Sequence, residues 1–291
     1  MEMATNQRVV ITGATSGIGH AAALELARRG AALTIVCRNP ERGKTTAAEL
    51  EDAAGAAPVD VLVADLSELD QVRAVAQEVN DRYPAVNVLI NNAGVQDLWP
   101  RSTSDGFDHM LASNYLGPFL LTNLVLDRVR AAPGGRVVIV TSDAHRIAAR
   151  IDPASFEQLG EYSGSRTAIR AYARTKFLDL LFSYELARRL DGSGATANAC
   201  CPGLVATNLV EGGPAMGRAD QVLTKTPLLR TPEQGARILV KLATDPSLAG
   251  VSGRYFPSTP GSRFIPRRPA TRDAALQQRI WDRTAELVAA P

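Results

Sequence analysis

An apolar strand runs into a glycine-rich turn in the segment Arg8-Val9-Val10-Ile11-Thr12-Gly13-Ala14-Thr15-Ser16-Gly17-Ile18-Gly19. A helical pattern follows over His20–Arg29, and Ala31–Cys37 is a second apolar strand. Strand, glycine turn and helix in this order predict a dinucleotide-binding βαβ unit, because the glycines let the backbone approach a pyrophosphate and the helix amino terminus offers it free N–H groups. The spacing Gly-x-x-x-Gly-x-Gly departs from the Gly-x-Gly-x-x-Gly fingerprint, so a structural loop is the alternative, against which the second strand argues.

Strand and helix patterns alternate along the rest of the chain. Apolar strand-like runs recur at Val59–Ala64, Val86–Asn91, Arg136–Thr141 and Ala195–Cys201. Helical patterns lie between and after them, at Glu41–Ala54, Glu68–Arg82, Gly106–Val129, Ser165–Leu190 and Pro232–Thr244. Such alternation predicts an α/β fold with a doubly wound parallel sheet of Rossmann type and helices on both faces. We expect a single domain over residues 1–291, since no linker or repeat divides the chain.

Three segments fall outside this alternation. Leu204–Arg230 carries glycine and proline and is too long for a simple turn, so we expect a lid over the active site. Ile147–Gly164 is expected to cover the site as well, and both segments are expected to be mobile until ligand binds. A carboxyl-terminal extension, residues about 257–291, begins as a Pro/Ser/Arg-rich connector and ends in a helix near Asp273–Val288.

Composition narrows the class of protein. With 45% hydrophobic and 21% charged residues the chain can form a full core, and a net charge of +2 gives no support for nucleic-acid binding. The 3 cysteines, Cys37, Cys200 and Cys201, lack zinc-ligand spacing and are expected to be reduced structural thiols. No signal peptide or membrane anchor is recognisable, so we expect a soluble, cytoplasmic protein. Assembly as a homo-oligomer, a dimer or a tetramer, stays open.

Tyr172 and Lys176 lie four residues apart within a helical pattern. Residues at this spacing share one helix face, so the phenol and the ammonium can reach the same space. A phenol ionises near pH 10 in water, and a nearby ammonium favours the phenolate and lowers that pKa. The pair is therefore a candidate general acid/base for an alcohol or carbonyl oxygen, with an interface tyrosine beside a solvated lysine as the alternative.

Further motifs accompany this pair in a particular order. They are Thr12–Gly19, Asn91-Asn92-Ala93-Gly94, Asn114, Ser142, Tyr172 with Lys176, and Pro202-Gly203. In this order they resemble a short-chain dehydrogenase/reductase, and the similarity runs from the first strand to about Phe256. Details such as Val36-Cys37-Arg38-Asn39 and Thr231-Pro232-Glu233-Gln234-Gly235-Ala236 look like the retinol-dehydrogenase-like branch of that family.

The resemblance implies a role for each matching residue. Tyr172, Lys176, Ser142 and Asn114 are implied to be catalytic, with Lys176 also on the nicotinamide ribose and Asn114 holding a water that links the lysine to solvent. Asp65 is implied to meet the adenine amino group, and a helix cap formed by it or by Ser67 is the alternative. The residues implied at the cofactor are Gly13, Thr15, Ser16, Gly17, Ile18, Gly19, Arg38, Asp65, Leu66, Asn91, Ala93, Gly94, Tyr172, Lys176, Pro202, Gly203, Val205 and Thr207.

The end of the second strand bears on the choice of cofactor. An acidic residue there would bind the ribose 2′-hydroxyl of NAD, whereas an arginine nearby accommodates the 2′-phosphate of NADP. Cys37 occupies that position and Arg38 follows it, so we expect NADP(H) to be preferred over NAD(H). An ordinary surface arginine is the alternative for Arg38. Arg42 and Lys44 could assist, although they fit a solvated helix start.

The expected function is reversible hydride transfer between NADP(H) and a carbonyl or alcohol, without a metal. Tyr172 exchanges the proton and Ser142 hydrogen-bonds the oxygen; strand alternation favours Ser142 over Thr141 for this role. Apolar residues expected around a lipophilic substrate are Val95, Leu98, Trp99, Leu204, Val205, Leu209, Val210, Met216, Val222 and Leu223. Two alternatives stay open, an NADP(H)-sensing binding protein without turnover and a double-bond reductase on the same scaffold.

Overall fold

The computed structural model describes residues 7–55, 57–205, 229–259, 261–266 and 268–289. The main sheet consists of β1 (Arg8–Thr12), β2 (Ala32–Cys37), β3 (Asp60–Val63), β4 (Val88–Asn91), β5 (Arg136–Val140), β6 (Thr196–Cys201) and β9 (Tyr255–Pro257). A separate short pair is formed by β7 (Leu204–Val205) and β8 (Leu229–Arg230). All pairings in the main sheet are parallel, and the strand order is β3-β2-β1-β4-β5-β6-β9. The predicted α/β fold of Rossmann type is confirmed.

Helices cover both faces of this sheet. They are α1 (Gly17–Arg28), α2 (Pro40–Ala53), α3 (Leu69–Arg82), α4 (His109–Leu111), α5 (Gly117–Ala131), α6 (Gly164–Arg189), α7 (Pro232–Thr244) and α8 (Ala274–Ala289). A π-helical turn, Ala112–Leu116, joins α4 to α5, and a 3₁₀ helix, Asp143–Ile147, follows β5. Three further 3₁₀ turns lie at Pro246–Leu248, Ser262–Phe264 and Pro269–Arg272.

Strand alternation divides the core into two layers. Val9 and Ile11 of β1 point into a layer shared with α1, α2 and α7, whereas Val10 points into the layer shared with α3, α5, α6 and α8. Successive side chains of a strand face opposite sides of a sheet, so a continuous apolar run can fill both layers at once. This explains why the strands are apolar throughout rather than alternating.

The carboxyl-terminal extension is part of the core. The ring of Trp281 on α8 lies 4.8 Å from Phe119 and 5.6 Å from Phe182, measured between ring centroids. The predicted last helix therefore exists and packs on α5 and α6. Strand β9, which precedes it, is not predicted from the sequence because three residues are too few to show a periodic pattern.

From β1 the sheet is extended through β2 and β3 towards one edge, and from β4 onwards towards the other edge. The strand order therefore reverses between the neighbours β1 and β4. Crossovers from these two strands leave in opposite directions, and a crevice opens at their carboxyl ends. The glycine turn follows β1 and the Asn91-Asn92-Ala93-Gly94 motif ends β4, so the topology itself brings these motifs together.

Candidate active site

Gly13, in the turn after β1, and Gly19, in the first turn of α1, let the chain after β4 pack closely on this region. Gly13 has a φ of +68°, and a Cβ there would lie 2.8 Å from the Cα of Ala93. A Cβ on Gly19 would overlap Nδ2 of Asn92 and the carbonyl oxygen of Gly13. The Asn92 amide donates to the carbonyl oxygens of Thr12 at 2.9 Å and Gly13 at 3.1 Å, which ties the end of β4 to the turn. Asn92 is not among the predicted residues, although its place directly after a strand was a usable signal.

A cleft of about 250 Å³ opens beside this turn. The predicted cofactor residues that line it are Gly13, Thr15, Ser16, Gly17, Ile18, Gly19, Arg38, Asp65, Leu66, Ala93 and Gly94, and the lining is completed by Val36, Cys37, Ala64, Asn92, Val95 and Ser113. Helix α1 begins at this cleft, without an acidic side chain in its first turn and without a side-chain cap from Ser16. Its first N–H groups are thus free for a phosphate, and the residues present fit a dinucleotide.

Arg38 and Asp65 face each other across the outer end of this cleft. The Arg38 guanidinium lies 3.8 Å from Oδ2 of Asp65, while Oδ1 of Asp65 accepts from the backbone and the hydroxyl of Ser67 at 3.0 and 2.7 Å. The side chain of Arg38 is 53% exposed, so it can turn towards an added anion. Cys37 is buried, and burial raises the pKa of its thiol.

Neither Asp65 nor Ser67 caps helix α3. The cap position is Glu68, and the backbone N–H of Leu69 donates to the carboxylate of Asp105 at 3.1 Å. Asp105, which is distant in sequence, thus accepts from the start of the helix in place of a local cap. Asp65 remains at the cleft.

A second cleft, of about 360 Å³, adjoins the first and shares Ile18, Asn92 and Gly94 with it. The predicted residues Ser142, Tyr172, Lys176, Pro202, Gly203, Leu204 and Val205 line it, together with Gln96, Val140, Thr141, Asp143, Ala144, Ile169, Cys201 and Thr259. Thr207 lies outside the described residues. Asn91 is buried beneath the clefts rather than lining them, and its amide donates to the Thr122 hydroxyl at 2.7 Å.

Tyr172, Lys176 and Ser142 come together in this second cleft. Tyr172 and Lys176 lie one turn apart on α6, with Nζ 5.8 Å from the centroid of the phenol ring. The side chain of Ser142 lines the same cleft as the phenol, and its hydroxyl accepts from the backbone of Ala144 at 3.1 Å. The Thr141 hydroxyl instead donates to the backbone carbonyl of Lys176 at 2.6 Å. The preference for Ser142 over Thr141 agrees with this geometry.

The ammonium of Lys176 has two fixed partners. Nζ donates to the carboxylate of Asp179 at 2.9 Å and to the backbone carbonyl of Val140 at 3.1 Å. Both side chains of the ion pair are almost fully buried, at 5% and 3% exposure. Asp179 is absent from the sequence-based list of site residues. The signal that could have found it is a carboxylate three residues after a lysine on one helix face.

The lysine acts on the pKa of Tyr172 in the predicted direction, but the net pKa is raised. Burial raises the pKa of Tyr172 and outweighs the opposing effect of the Lys176 ammonium, while Cys201 and Asp179 add to the rise and the Ser142 hydroxyl opposes it. The ammonium acts in the expected direction, but a phenolate without water around it is costly. Spacing along a helix could not reveal that cost.

Asn114 lies in the π turn rather than in regular helix. Its side chain accepts from the backbone of Val95 at 2.7 Å and donates to the carbonyl of Val95 at 2.9 Å and to the Thr175 hydroxyl at 3.1 Å. A Cβ on Gly94 would lie 3.4 Å from Oδ1 of Asn114 and 3.6 Å from Nζ of Lys176. The amide therefore fastens the chain after β4 to α6, directly beside the lysine.

The walls of the second cleft differ in part from those predicted. None of Val95, Leu98 and Trp99 lines it. Val95 lines the first cleft, Val95 and Leu98 pack against the cluster that contains Tyr172, and Trp99 is 59% exposed. Leu209, Val210, Met216, Val222 and Leu223 lie outside the described residues, as does the lid apart from its ends at 204–205 and 229–230.

The segment Ile147–Gly164 does not form the predicted cover. Phe156 is fully buried and packs edge-to-face on Tyr115 at 6.0 Å, and Ile151 and Tyr162 are buried too. None of the residues 147–164, all of them described, lines either cleft. Its apolar side chains anchor it in the core, which argues against the mobility expected of a lid.

The described ranges contain neither a helix long and apolar enough to cross a membrane nor a cluster of three metal-ligating side chains.

The chain is similar to known proteins over nearly its whole length. Residues 7–215 match the family model described as short chain dehydrogenase. Retinol dehydrogenase 14 of Mus musculus is 36% identical over 286 residues, which cover 94% of this chain and 83% of that protein. A protein of Streptomyces sp. (strain C5), provisionally named the daunorubicin C-13 ketoreductase DnrU, is 37% identical over 284 residues, covering 96% and 92%.

A solved structure of an uncharacterised protein from Mycobacterium paratuberculosis superposes with a TM-score of 0.75 at 29% identity, over 100% of this chain and 96% of that one. The family match and the curated relatives make the chain an oxidoreductase that acts on CH–OH and C=O groups. The chain belongs to the short-chain dehydrogenase/reductase family, in its retinol-dehydrogenase-like branch.

Proposed function

We propose that this protein interconverts a lipophilic ketone or aldehyde and the corresponding alcohol with NADP(H), and that Tyr172 exchanges the proton. The observation that carries the proposal is the continuity of the two clefts, which meet at Ile18, Asn92 and Gly94. A dinucleotide in the first cleft can therefore extend towards Tyr172 in the second.

Each side chain contributes a separate function to this chemistry. When bound, the nicotinamide cofactor supplies or accepts the hydride. Tyr172 gives its phenolic proton to the carbonyl oxygen, and Ser142, which lines the same cleft, orients that oxygen. The remaining donor of the Lys176 ammonium would hold the nicotinamide ribose. Asn114, fixed beside Lys176, would hold a water through which Tyr172 regains its proton.

A preference for NADP(H) is supported by the end of β2. Cys37 stands where a carboxylate would repel the 2′-phosphate, and the half-exposed guanidinium of Arg38 lines the same cleft. Arg42 is engaged elsewhere, because its guanidinium donates to the carbonyl of Thr15 at 3.0 Å. We therefore assign Arg38 to the 2′-phosphate, which would compete with the carboxylate of Asp65 for the guanidinium.

A lipophilic substrate is supported by the rim of the second cleft. Leu204 is 60% exposed there, and Ile169 and Val205 line the same cavity. An exposed leucine beside a polar catalytic group suits a ligand that combines an apolar body with one carbonyl. The names of the relatives, a retinol dehydrogenase and a ketoreductase, are consistent with such a class.

The test is a substrate panel with NADPH, containing ketones, aldehydes and α,β-unsaturated carbonyl compounds of increasing hydrophobicity. We expect NADPH consumption with alcohol as the product, and Tyr172→Phe should lower turnover by about 10² to 10⁴ while NADPH affinity changes little. Near-wild-type turnover of that variant would overturn the assignment of Tyr172.

The same panel separates the alternatives. NADPH binding without turnover of any compound would favour a cofactor-sensing protein, and a saturated carbonyl product would favour a double-bond reductase. A cytoplasmic location and homo-oligomeric assembly stay predictions, to be tested by cell fractionation and by light scattering.

A further inference from the structure

Asp179 is a buried charge to which the proton transfer described above assigns no role. It lies one turn after Lys176 on α6, with its carboxylate 2.9 Å from Nζ, and its side chain is only 3% exposed. Removing either partner of a buried ion pair leaves an uncompensated charge, so the two groups hold each other in place. The helix that carries the catalytic pair therefore also carries the counter-ion of its lysine.

The ion pair changes what Tyr172 experiences. Nζ is 5.8 Å from the phenol ring, and its carboxylate partner comes from the same helix. A lone ammonium at this distance would favour the phenolate, and the burial of both side chains strengthens such an attraction. The carboxylate of Asp179 opposes that attraction and raises the pKa of Tyr172, by less than the ammonium lowers it.

We propose that Asp179 is a positioning residue that neutralises and tethers the Lys176 ammonium and thereby keeps Tyr172 in its proton-donating form across the neutral pH range. The consequence for catalysis rests on the proposed function, since it concerns the proton given to a carbonyl oxygen. The tether has a second anchor in the carbonyl of Val140, which leaves one ammonium donor for the cleft.

The electrostatic surroundings support this assignment. Burial raises the pKa of Asp179 to about 6 against the opposing effect of Lys176, so the carboxylate is charged at neutral pH. The titratable groups that face the pair are Tyr172 on α6, Tyr115 on the π turn, and Cys200 and Cys201 on β6. Asp143 and His145, on the 3₁₀ helix packed against α6, are engaged with Arg146 and with the carbonyl of Ser142.

The direct test is a tyrosine titration by NMR on protein labelled at the Cζ carbon of tyrosine, without cofactor or substrate. The Tyr172 resonance is assigned by its absence in Tyr172→Phe. We expect wild-type Tyr172 to stay protonated up to about pH 10, the ordinary range of a phenol or above. In Asp179→Asn, which keeps an acceptor for the ammonium but removes the charge, Tyr172 should titrate about one pH unit lower or more.

The matched control is Asp191→Asn, which removes one exposed carboxylate just beyond the end of the same helix and should leave the titration unchanged. Equal Tyr172 titrations in wild type and Asp179→Asn would overturn the proposal. If Asp179→Asn does not fold, ionisation of wild-type Tyr172 near neutral pH would still overturn the proposal, because it would contradict a neutralised lysine.

The kinetic test follows the alkaline limb of kcat/KM for carbonyl reduction, which reports the acid of the free enzyme. We expect this limb to lie about one pH unit or more lower in Asp179→Asn than in wild type or Asp191→Asn. Coincident limbs would overturn the role of Asp179. If no carbonyl compound is turned over, the proposed function fails, whereas the NMR titration still decides the role of Asp179.

Discussion

At the scale of single residues, the proposed preference for NADP(H) rests on two neighbours at the end of β2, Cys37 and Arg38. Cys37→Asp combined with Arg38→Ala should reverse the order of affinity, so that NADH binds more tightly than NADPH. The new carboxylate would repel the 2′-phosphate and bind the ribose hydroxyls, and the guanidinium proposed to pair with the phosphate would be gone. Fluorescence titration of wild type and double variant with both cofactors measures this. Equal affinities of the wild type for NADPH and NADH would contradict the assignment.

Gly13 permits a second prediction at this scale. Gly13→Ala should weaken NADPH binding and destabilise the fold, because its φ of +68° is unfavourable for alanine and the new Cβ would press on Ala93. Gly192 is a matched control, with a φ of +75° and open space around it. Gly192→Ala should lower the free energy of unfolding by about 1–2 kcal/mol, the cost of the left-handed conformation for alanine, and leave NADPH binding unchanged. Urea unfolding and cofactor titration measure both, and equal behaviour of the two variants would contradict the close approach at Gly13.

At the scale of elements, the last helix tests whether the carboxyl-terminal extension belongs to the domain. Trp281→Ala should lower the free energy of unfolding by about 3–5 kcal/mol, because it leaves a cavity among Phe119 and Phe182. Arg279→Ala, at an exposed position of the same helix, should change it by no more than about 0.5 kcal/mol. Urea denaturation measures both changes. A small effect of Trp281→Ala would mean that the packing of α8 contributes little to the stability of the domain.

The π turn is the other element that bears on the site. It interrupts the path from α4 into α5 at Ala112–Leu116 and carries the buried Asn114. An extra residue in a helical turn redirects the side chains around it, and such turns occur often at functional sites. Here the outcome is an amide that binds both the chain after β4 and α6.

At the scale of the whole molecule, Asp179 links global stability to pH. The folded state raises its pKa from 3.8 to about 6, so the folded state favours the protonated carboxyl. The stability that this preference provides is fully present below pH 3.8 and is lost as the pH rises through 6. The free energy of unfolding of wild type minus that of Asp179→Asn should therefore fall between these pH values and level off above them.

Urea denaturation over this pH range measures that difference, with Asp191→Asn as the control whose difference from wild type stays flat. A difference that rises with pH would contradict the prediction. It would mean that attraction by Lys176 exceeds the cost of burial and holds the pKa of Asp179 below its ordinary value.

Much of the fold was readable from the order of residues, since strand and helix patterns depend on local periodicity. The helix predicted at Pro232–Thr244 has those bounds in the structure, and that predicted at Ser165–Leu190 shifts by one residue. Motif spacing likewise led to the glycine turn and Ser142, because each follows a strand. Tyr172 and Lys176 were found because they share one helix face. The three-residue strand β9 and the π turn were not predicted, because neither leaves a periodic signal in the sequence.

Tertiary structure alone decided how the site residues interact. Packing buries Asp179 and Lys176 together and makes burial the largest influence on the pKa of Tyr172. Packing also turns Asn91 into the core while Asn92 holds the glycine turn, and it anchors Phe156 where a mobile cover was expected. The physical reason is common to all of these: the cost of removing a charge or an amide from water depends on neighbours distant in sequence, and no local pattern records them.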